Sequence, residues 1–216
     1  MTLNNLFSKK IILAIPKGRI LEELKDLFEK KSIIIDPELY NESSRKLTFA
    51  TNLPYLEIIK VRSFDVATIV KFGGADIGIC GNDVIKEFPS QEYYAMIDLN
   101  IGKCRLSLAS IFEDINVFDI KNKIRVATKY VNITKEYFEN ISIQAEIIKL
   151  NGSLEIAPKI KLCNHIVDLV SSGKTLKENN LNEILKILDI SSWLIVNRTS
   201  LKTNNNINNF INLFNE

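Results

Sequence analysis

The chain has 216 residues, 46% of them hydrophobic, and a formal net charge of +2. That size and apolar content can bury one large core or two smaller ones, and the near-neutral charge leaves no broad electrostatic footprint for nucleic acid. The start Met1-Thr2-Leu3-Asn4-Asn5 has no basic segment followed by an apolar one, and no run approaches the roughly 20 apolar residues that cross a bilayer, so a cytoplasmic location is expected. Cys80, Cys104 and Cys163 are widely spaced with no CxxC pair, which points to reduced, buried thiols and signals neither a disulfide framework nor a zinc site.

In chain order, short apolar runs alternate with stretches of helical period, the pattern of an α/β fold. Ile11 to Ile15 reads as a buried strand, and Ile20, Leu21, Leu24, Leu27 and Phe28 then fall on one face of a helix. The loop between them, Pro16-Lys17-Gly18-Arg19, lies at a strand's carboxyl end, where ligands of open α/β sheets collect. Leu47 to Ala50 and Glu57 to Val61 read as a strand pair. Val66 to Phe72 reads as a helix closed by Gly73-Gly74, and Asp76 to Cys80 as the strand after it. Gly81-Asn82-Asp83 opens another helix, and Asp83 either caps it or faces a ligand.

Four more strands are expected over Cys104 to Ser110, Ile124 to Thr128, Ala145 to Leu150 and His165 to Val170, with helical segments after Asn132 and after Asn151-Gly152. Leu181 to Ile190 carries its apolar residues at helical spacing and reads as a helix. Trp193 to Val196 reads as a strand and Ile207 to Phe214 as a terminal helix. No internal repeat is visible, and no Pro/Gly/Ser linker marks a domain boundary.

The segment Asp168-Leu169-Val170-Ser171-Ser172-Gly173-Lys174-Thr175-Leu176 has the chemistry of a phosphate cradle. An apolar strand delivers Asp168, Ser171, Ser172 and Thr175 offer hydroxyl donors, Gly173 lets backbone N–H groups close on an anion, and Lys174 adds a cation. A Walker A motif would need glycine five residues before Gly173, where Asp168 stands. A carboxylate beside a phosphate loop suits a sugar phosphate, because it accepts hydrogen bonds from ribose hydroxyls. The alternative is a capped helix start with no ligand.

The residues around this loop identify a likeness. Leu150 to Pro158 (LNGSLEIAP), Asp168 thirteen positions after Glu155, and then SSGKTL together resemble the signature of ATP phosphoribosyltransferases. Ala14-Ile15-Pro16-Lys17-Gly18-Arg19 resembles that family's first loop and Ser44-Arg45-Lys46-Leu47 its second. Asp65-Val66, GGADIGICGNDV (Gly73 to Val84), DLNIGKCRL (Asp98 to Leu106) and ATKYVNIT (Ala127 to Thr134) continue the match in order. Lys161 stands where the family usually has glycine, and Cys163-Asn164 where it usually has a small residue followed by aspartate.

The resemblance implies two α/β lobes with a central cleft, like type II periplasmic binding proteins. Residues 1–100 with 188–216 would form the first lobe, on the nucleotide and pyrophosphate side, and 101–187 the second, with the phosphoribosyl-binding loop. It implies transfer of ribose 5-phosphate from phosphoribosyl pyrophosphate to N1 of ATP, the first step of histidine biosynthesis, with Mg2+ brought on the substrate. Lys17, Arg19 and Arg45 are the candidates for gripping pyrophosphate and ATP phosphates, a role the resemblance gives to Arg19 and Arg45 above all; Gly18 would permit close approach of backbone to phosphate, and the resemblance implies that Asp83 contacts the nucleotide ribose. Glu155 and Asp168 would bind ribose hydroxyls and support the developing cationic sugar, although Glu155 could simply begin a helix. The length resembles the short form, which acts with a regulatory subunit resembling histidyl-tRNA synthetase, in a hetero-octamer. His165, the one histidine, sits in an apolar strand pattern and reads as structural. A non-catalytic receptor of the periplasmic type would share the fold, but it calls for a signal peptide and has no use for a phosphate loop.

Overall fold

The computed structural model describes residues 9–111 and 124–214, and the start read above for a targeting segment lies outside them. The chain forms two compact units, one of Met1–Gly102 with Ser191–Glu216 and the other of Lys103–Ile190. Among the described residues, no helix is long and apolar enough to cross a membrane.

The first unit is built on a six-stranded sheet. Its strands are β1 (Ile11–Pro16), β2 (Thr48–Ala50), β3 (Leu56–Val61), β4 (Ile77–Gly81), β5 (Tyr93–Asp98) and β11 (Ser192–Asn197), in the order β2-β3-β1-β4-β11-β5. β1 runs parallel to β3 and β4, and β11 antiparallel to β4 and β5. Helix α1 (Arg19–Lys30) leads from β1 toward β2 and β3, and α2 (Ser63–Lys71) carries the chain from β3 across β1 to β4, where α3 (Asn82–Glu87) follows. The loops after β1 and β4 therefore diverge, and that divergence makes the ligand crevice of an open α/β sheet.

Both faces of this sheet are covered, so β1 is apolar throughout. Ile11, Leu13 and Ile15 pack with Leu24 and Phe28 of α1 and with Ile207, Phe210 and Ile211 of α8 (Asn206–Asn212). Ala14 faces the opposite layer with Val66 and Val70 of α2. Gly78 of β4 is needed for that contact, because a Cβ there would lie 2.7 Å from side-chain carbons of both Val66 and Val70.

The second unit holds β6 (Cys104–Ser110), β7 (Ile124–Thr128), β8 (Ala145–Lys149), β9 (His165–Val170) and β10 (Asn182–Ile190), in the order β10-β6-β9-β7-β8. β7, β8 and β9 are parallel, linked by α4 (Val131–Asn140) and α5 (Ile156–Lys159), while β6 runs antiparallel to β9 and β10. The carboxyl ends of β7 and β9 and the start of β6 thus share one edge, and α6 (Lys174–Glu178) begins there.

Leu181 to Ile190 corrects the sequence reading: it is mostly strand β10, not a helix. Its pairing with β6 slips between Glu183 and Leu185 and again between Lys186 and Leu188, so Ile184 and Ile187 are extra residues. Each bulge stretches the two-residue alternation to three, which imitates the spacing of a helix. Strand β5 and helix α7 (Arg198–Thr203) are further elements that the sequence reading did not contain.

Among the described residues, four helices end without glycine at the position that turns left-handed. Ser32, Ser142, Lys161 and Asn180 have φ of +57°, +58°, +59° and +56°. Each is followed by an apolar residue whose N–H reaches back to the helix: Ile33 to Phe28, Ile143 to Phe138, Leu162 to Ala157 and Leu181 to Leu176. This double-bonded helix end with its apolar contact compensates the strain. At Lys161 the backbone takes the left-handed conformation that glycine would favour. Lys161→Gly should therefore raise the unfolding free energy by about 0.5–1 kcal/mol in urea titration, the relief of left-handed strain less the extra entropy of the unfolded glycine.

Candidate active site

In the first unit the loop after β1 carries three of the expected residues. Lys17, Gly18 and Arg19 are exposed and line a cavity of about 970 Å3 together with Tyr40, Ser44 and Lys60. Gly18 has φ +92°, and a Cβ there would meet open space, so the backbone conformation and not crowding asks for glycine. Arg19 opens α1 and donates from Nη2 to the carbonyl oxygen of Gly102 at 3.3 Å, while Glu23, one turn later, accepts the N–H of Gly102 at 2.7 Å. Lys60 is buried beneath the cavity; its Nζ donates to the Leu39 carbonyl at 2.7 Å and lies over the Phe49 ring.

Arg45 lies on the exposed loop before β2, next to Ser44 of the cavity lining. That loop is tied by an ion pair of 2.5 Å between Lys46 and Asp36. Asp83 is buried in the first turn of α3 at the carboxyl end of β4, but Gly81 holds the N-cap position, so the capping alternative for Asp83 is not the one the structure adopts.

The second unit brings Glu155, Asp168 and the loop 171–175 to one region. Asp168 of β9 stands opposite Ser107 of β6, which places it on the same sheet face as Ser107 and Arg105. One Asp168 oxygen accepts the N–H of Leu169 at 2.8 Å. Burial pushes its carboxyl up to about 6, a shift that the nearby charge of Glu155 reinforces and that the Leu169 hydrogen bond and Lys129 oppose. Glu155 immediately precedes α5 and makes no capping hydrogen bond through its side chain. Ser171, Ser172, Lys174 and Thr175 are exposed, and Gly173 is left-handed with φ +76°. Ser172 Oγ accepts the N–H of Lys174 at 3.4 Å, and the Lys174 ammonium lies 3.8 Å from Glu178 on the solvent side of α6.

Sequence reasoning gave no role to Arg105, Ser107 or Glu183, which form a network behind this loop. Arg105 donates from Nε and Nη2 to the two carboxylate oxygens of Glu183, each at 2.5 Å, and from Nη1 to the carbonyl oxygen of Ser171 at 3.1 Å. Glu183 also accepts from Ser107 Oγ at 2.8 Å, and the Arg105 guanidinium holds its carboxyl below the usual range. Arg105 lies within the stretch DLNIGKCRL, but its partner Glu183 has no sequence signal, because the apolar spacing of β10 imitates a helix.

Residues 62–216 match the family model described as ATP phosphoribosyltransferase. A curated ATP phosphoribosyltransferase from Novosphingobium aromaticivorans is 50% identical over 198 residues, covering 89% of this chain and 87% of its relative. The chain belongs to the ATP phosphoribosyltransferase family. These enzymes are pentosyltransferases of the first step of histidine biosynthesis. A solved ATP phosphoribosyl transferase (HisG:HisZ) complex from Thermotoga maritima contains a chain that is 31% identical with a TM-score of 0.77, over 95% of this chain and 96% of that one. The fold extends beyond the family: a probable amino-acid ABC transporter extracellular-binding protein from Bacillus subtilis superposes with a TM-score of 0.55 at 12% identity, over 95% of this chain and 92% of that one. The α/β architecture with two sheets, akin to periplasmic binding proteins, is thus the one expected from the sequence.

His165 is buried with Nδ1 unpartnered, and burial holds its imidazole below the usual value. Cys80, Cys104 and Cys163 form no disulfide, and burial raises the Cys80 and Cys163 thiols.

Proposed function

We propose that this chain carries out the family's reaction, joining C1 of phosphoribosyl pyrophosphate to N1 of the adenine of ATP and releasing pyrophosphate. The N1 lone pair forms the new bond as the bond from C1 to the pyrophosphate oxygen breaks, and that electron pair leaves with pyrophosphate. An adenine nitrogen needs no base to attack. The barrier lies in positive charge on the sugar and negative charge on the leaving group, and fixed charges lower it.

The observation that carries this reading is the meeting of Asp168, Glu155 and the hydroxyl-rich loop 171–175 in one region of the second unit. There the loop would take the 5-phosphate, with Ser171, Ser172, Thr175 and Lys174 as donors and Gly173 permitting the turn. Asp168 and Glu155 would take the ribose hydroxyls and face the developing cation. In the first unit Lys17, Gly18 and Arg19, with Arg45 on the adjoining loop, would bind the phosphates of ATP and the departing pyrophosphate, and Asp83 the nucleotide ribose. Among the described residues no cluster of three His, Cys, Asp or Glu side chains could hold a metal. Mg2+ would accordingly arrive on the substrate phosphates, where it neutralises leaving-group charge. The complex to which the Thermotoga maritima chain belongs supports a HisZ-type regulatory subunit as partner; a hetero-octamer is the assembly we propose for the two.

Thr175→Val tests the loop. It keeps the side chain's shape and removes a donor to a charged group, which costs on the order of 1.5–3 kcal/mol. Phosphoribosyl pyrophosphate should bind about tenfold or more weakly in calorimetry. An unchanged dissociation constant would take the loop out of the site.

A further inference from the structure

The guanidinium of Arg105 joins three parts of the second unit. It meets Glu183 of β10 through two parallel hydrogen bonds and holds the carbonyl of Ser171 with a third. Bidentate pairing fixes the plane of the guanidinium, so the direction in which Nη1 points is set by Glu183. Ser107 in turn fixes Glu183 from the strand between β10 and β9.

We propose that Arg105 is a positioning residue that orients the Ser171–Ser172 peptide for binding the 5-phosphate of phosphoribosyl pyrophosphate; this rests on the phosphate role of the loop 171–175. In a trans peptide the carbonyl and the following N–H point in opposite directions. Anchoring the Ser171 carbonyl on Arg105 therefore turns the Ser172 N–H away from Arg105, which on this proposal is the side from which the 5-phosphate is bound. Released from Arg105, the exposed peptide is free to rotate and to present its carbonyl oxygen to the anion. Lysine cannot replace this arrangement: a single ammonium has no rigid fork with which to hold both Glu183 oxygens and the loop carbonyl in fixed geometry.

The test uses the full chain with Arg105→Lys, which keeps the charge, and compares two ligands and one backbone signal. Affinity for phosphoribosyl pyrophosphate should fall by between about ten- and a hundredfold, as expected when a binding group is misplaced and not removed. Affinity for ATP should stay unchanged. Amide hydrogen exchange should quicken at residues 171–175 and stay as in the parent chain within β6, β9 and β10. Loss of both ligands together, or quickened exchange throughout these strands, would reduce Arg105 to a merely structural residue and overturn the proposal. Unaltered phosphoribosyl pyrophosphate binding and loop exchange would also overturn it. Thr175→Val, measured alongside, separates the two levels. If it weakens binding while Arg105→Lys does not, the loop reading stands and this inference falls; if neither does, both fall.

Discussion

Asp168→Asn should make the ligand-free protein more stable at neutral pH and disable it as an enzyme. The folded carboxyl titrates near 6 against an ordinary value of 3.8, chiefly because burial disfavours its charge. A group whose folded value is raised favours the folded state at low pH and loses that contribution as pH rises through the folded value. Over the window from about 4 to 6 the parent chain thus gives up roughly 3 kcal/mol at this site, of which an amide, itself polar, recovers part. The variant's advantage in thermal unfolding should appear above pH 4, grow to about pH 6 and then stay level. If Asp168 faces the developing sugar cation as proposed, turnover should move the other way and fall on the order of a hundredfold or more, because that charge is gone. In kcat/KM for phosphoribosyl pyrophosphate, the acid limb near pH 6 that belongs to Asp168 should vanish in the variant. A stability gain absent at pH 7.5, or a variant that turns over normally, would refute this role.

Arg19→Ala should produce the second large loss. Arg19 is exposed, and its hydrogen bond to the Gly102 carbonyl is long at 3.3 Å. Its removal should therefore shift stability by no more than about 0.5 kcal/mol. If Arg19 neutralises the departing pyrophosphate, kcat/KM should fall on the order of a hundred- to a thousandfold. Arg19→Lys should restore only part of the rate, because an ammonium does not reproduce the planar fork. Normal turnover of Arg19→Ala at saturating substrates would assign the charge stabilisation elsewhere.

The sequence announced the features that follow from local chemistry. β1 and β9 read as strands because both are short apolar runs that end in polar loops, and Lys17 to Arg19 and Ser171 to Thr175 fell where a strand's carboxyl end presents ligand-binding backbone. What stayed hidden depends on pairing between distant segments. β10 looked helical because two bulges break its alternation, and bulges exist only relative to a partner strand. With β10 misread, Glu183 lay on a helix and its grip on Arg105, 78 residues away, had no sequence signature. Asp83 shows a subtler limit: its place in the first turn of a helix was visible, but that Gly81 takes the cap and leaves Asp83 buried is set by tertiary packing. Lys161 shows the converse: a lysine holds the left-handed helix end that local chemistry would assign to glycine, because the following Leu162 closes the turn.

The most direct test of the central claim is product formation by the purified chain with ATP, phosphoribosyl pyrophosphate and Mg2+, followed by the ultraviolet absorbance of phosphoribosyl-ATP and by pyrophosphate release, with and without a HisZ-type subunit. The account predicts an absorbance rise that requires both substrates, with pyrophosphate released in equal amount. A chain that binds both substrates yet forms no phosphoribosyl-ATP with the partner present, or that releases inorganic phosphate in place of pyrophosphate, would contradict it.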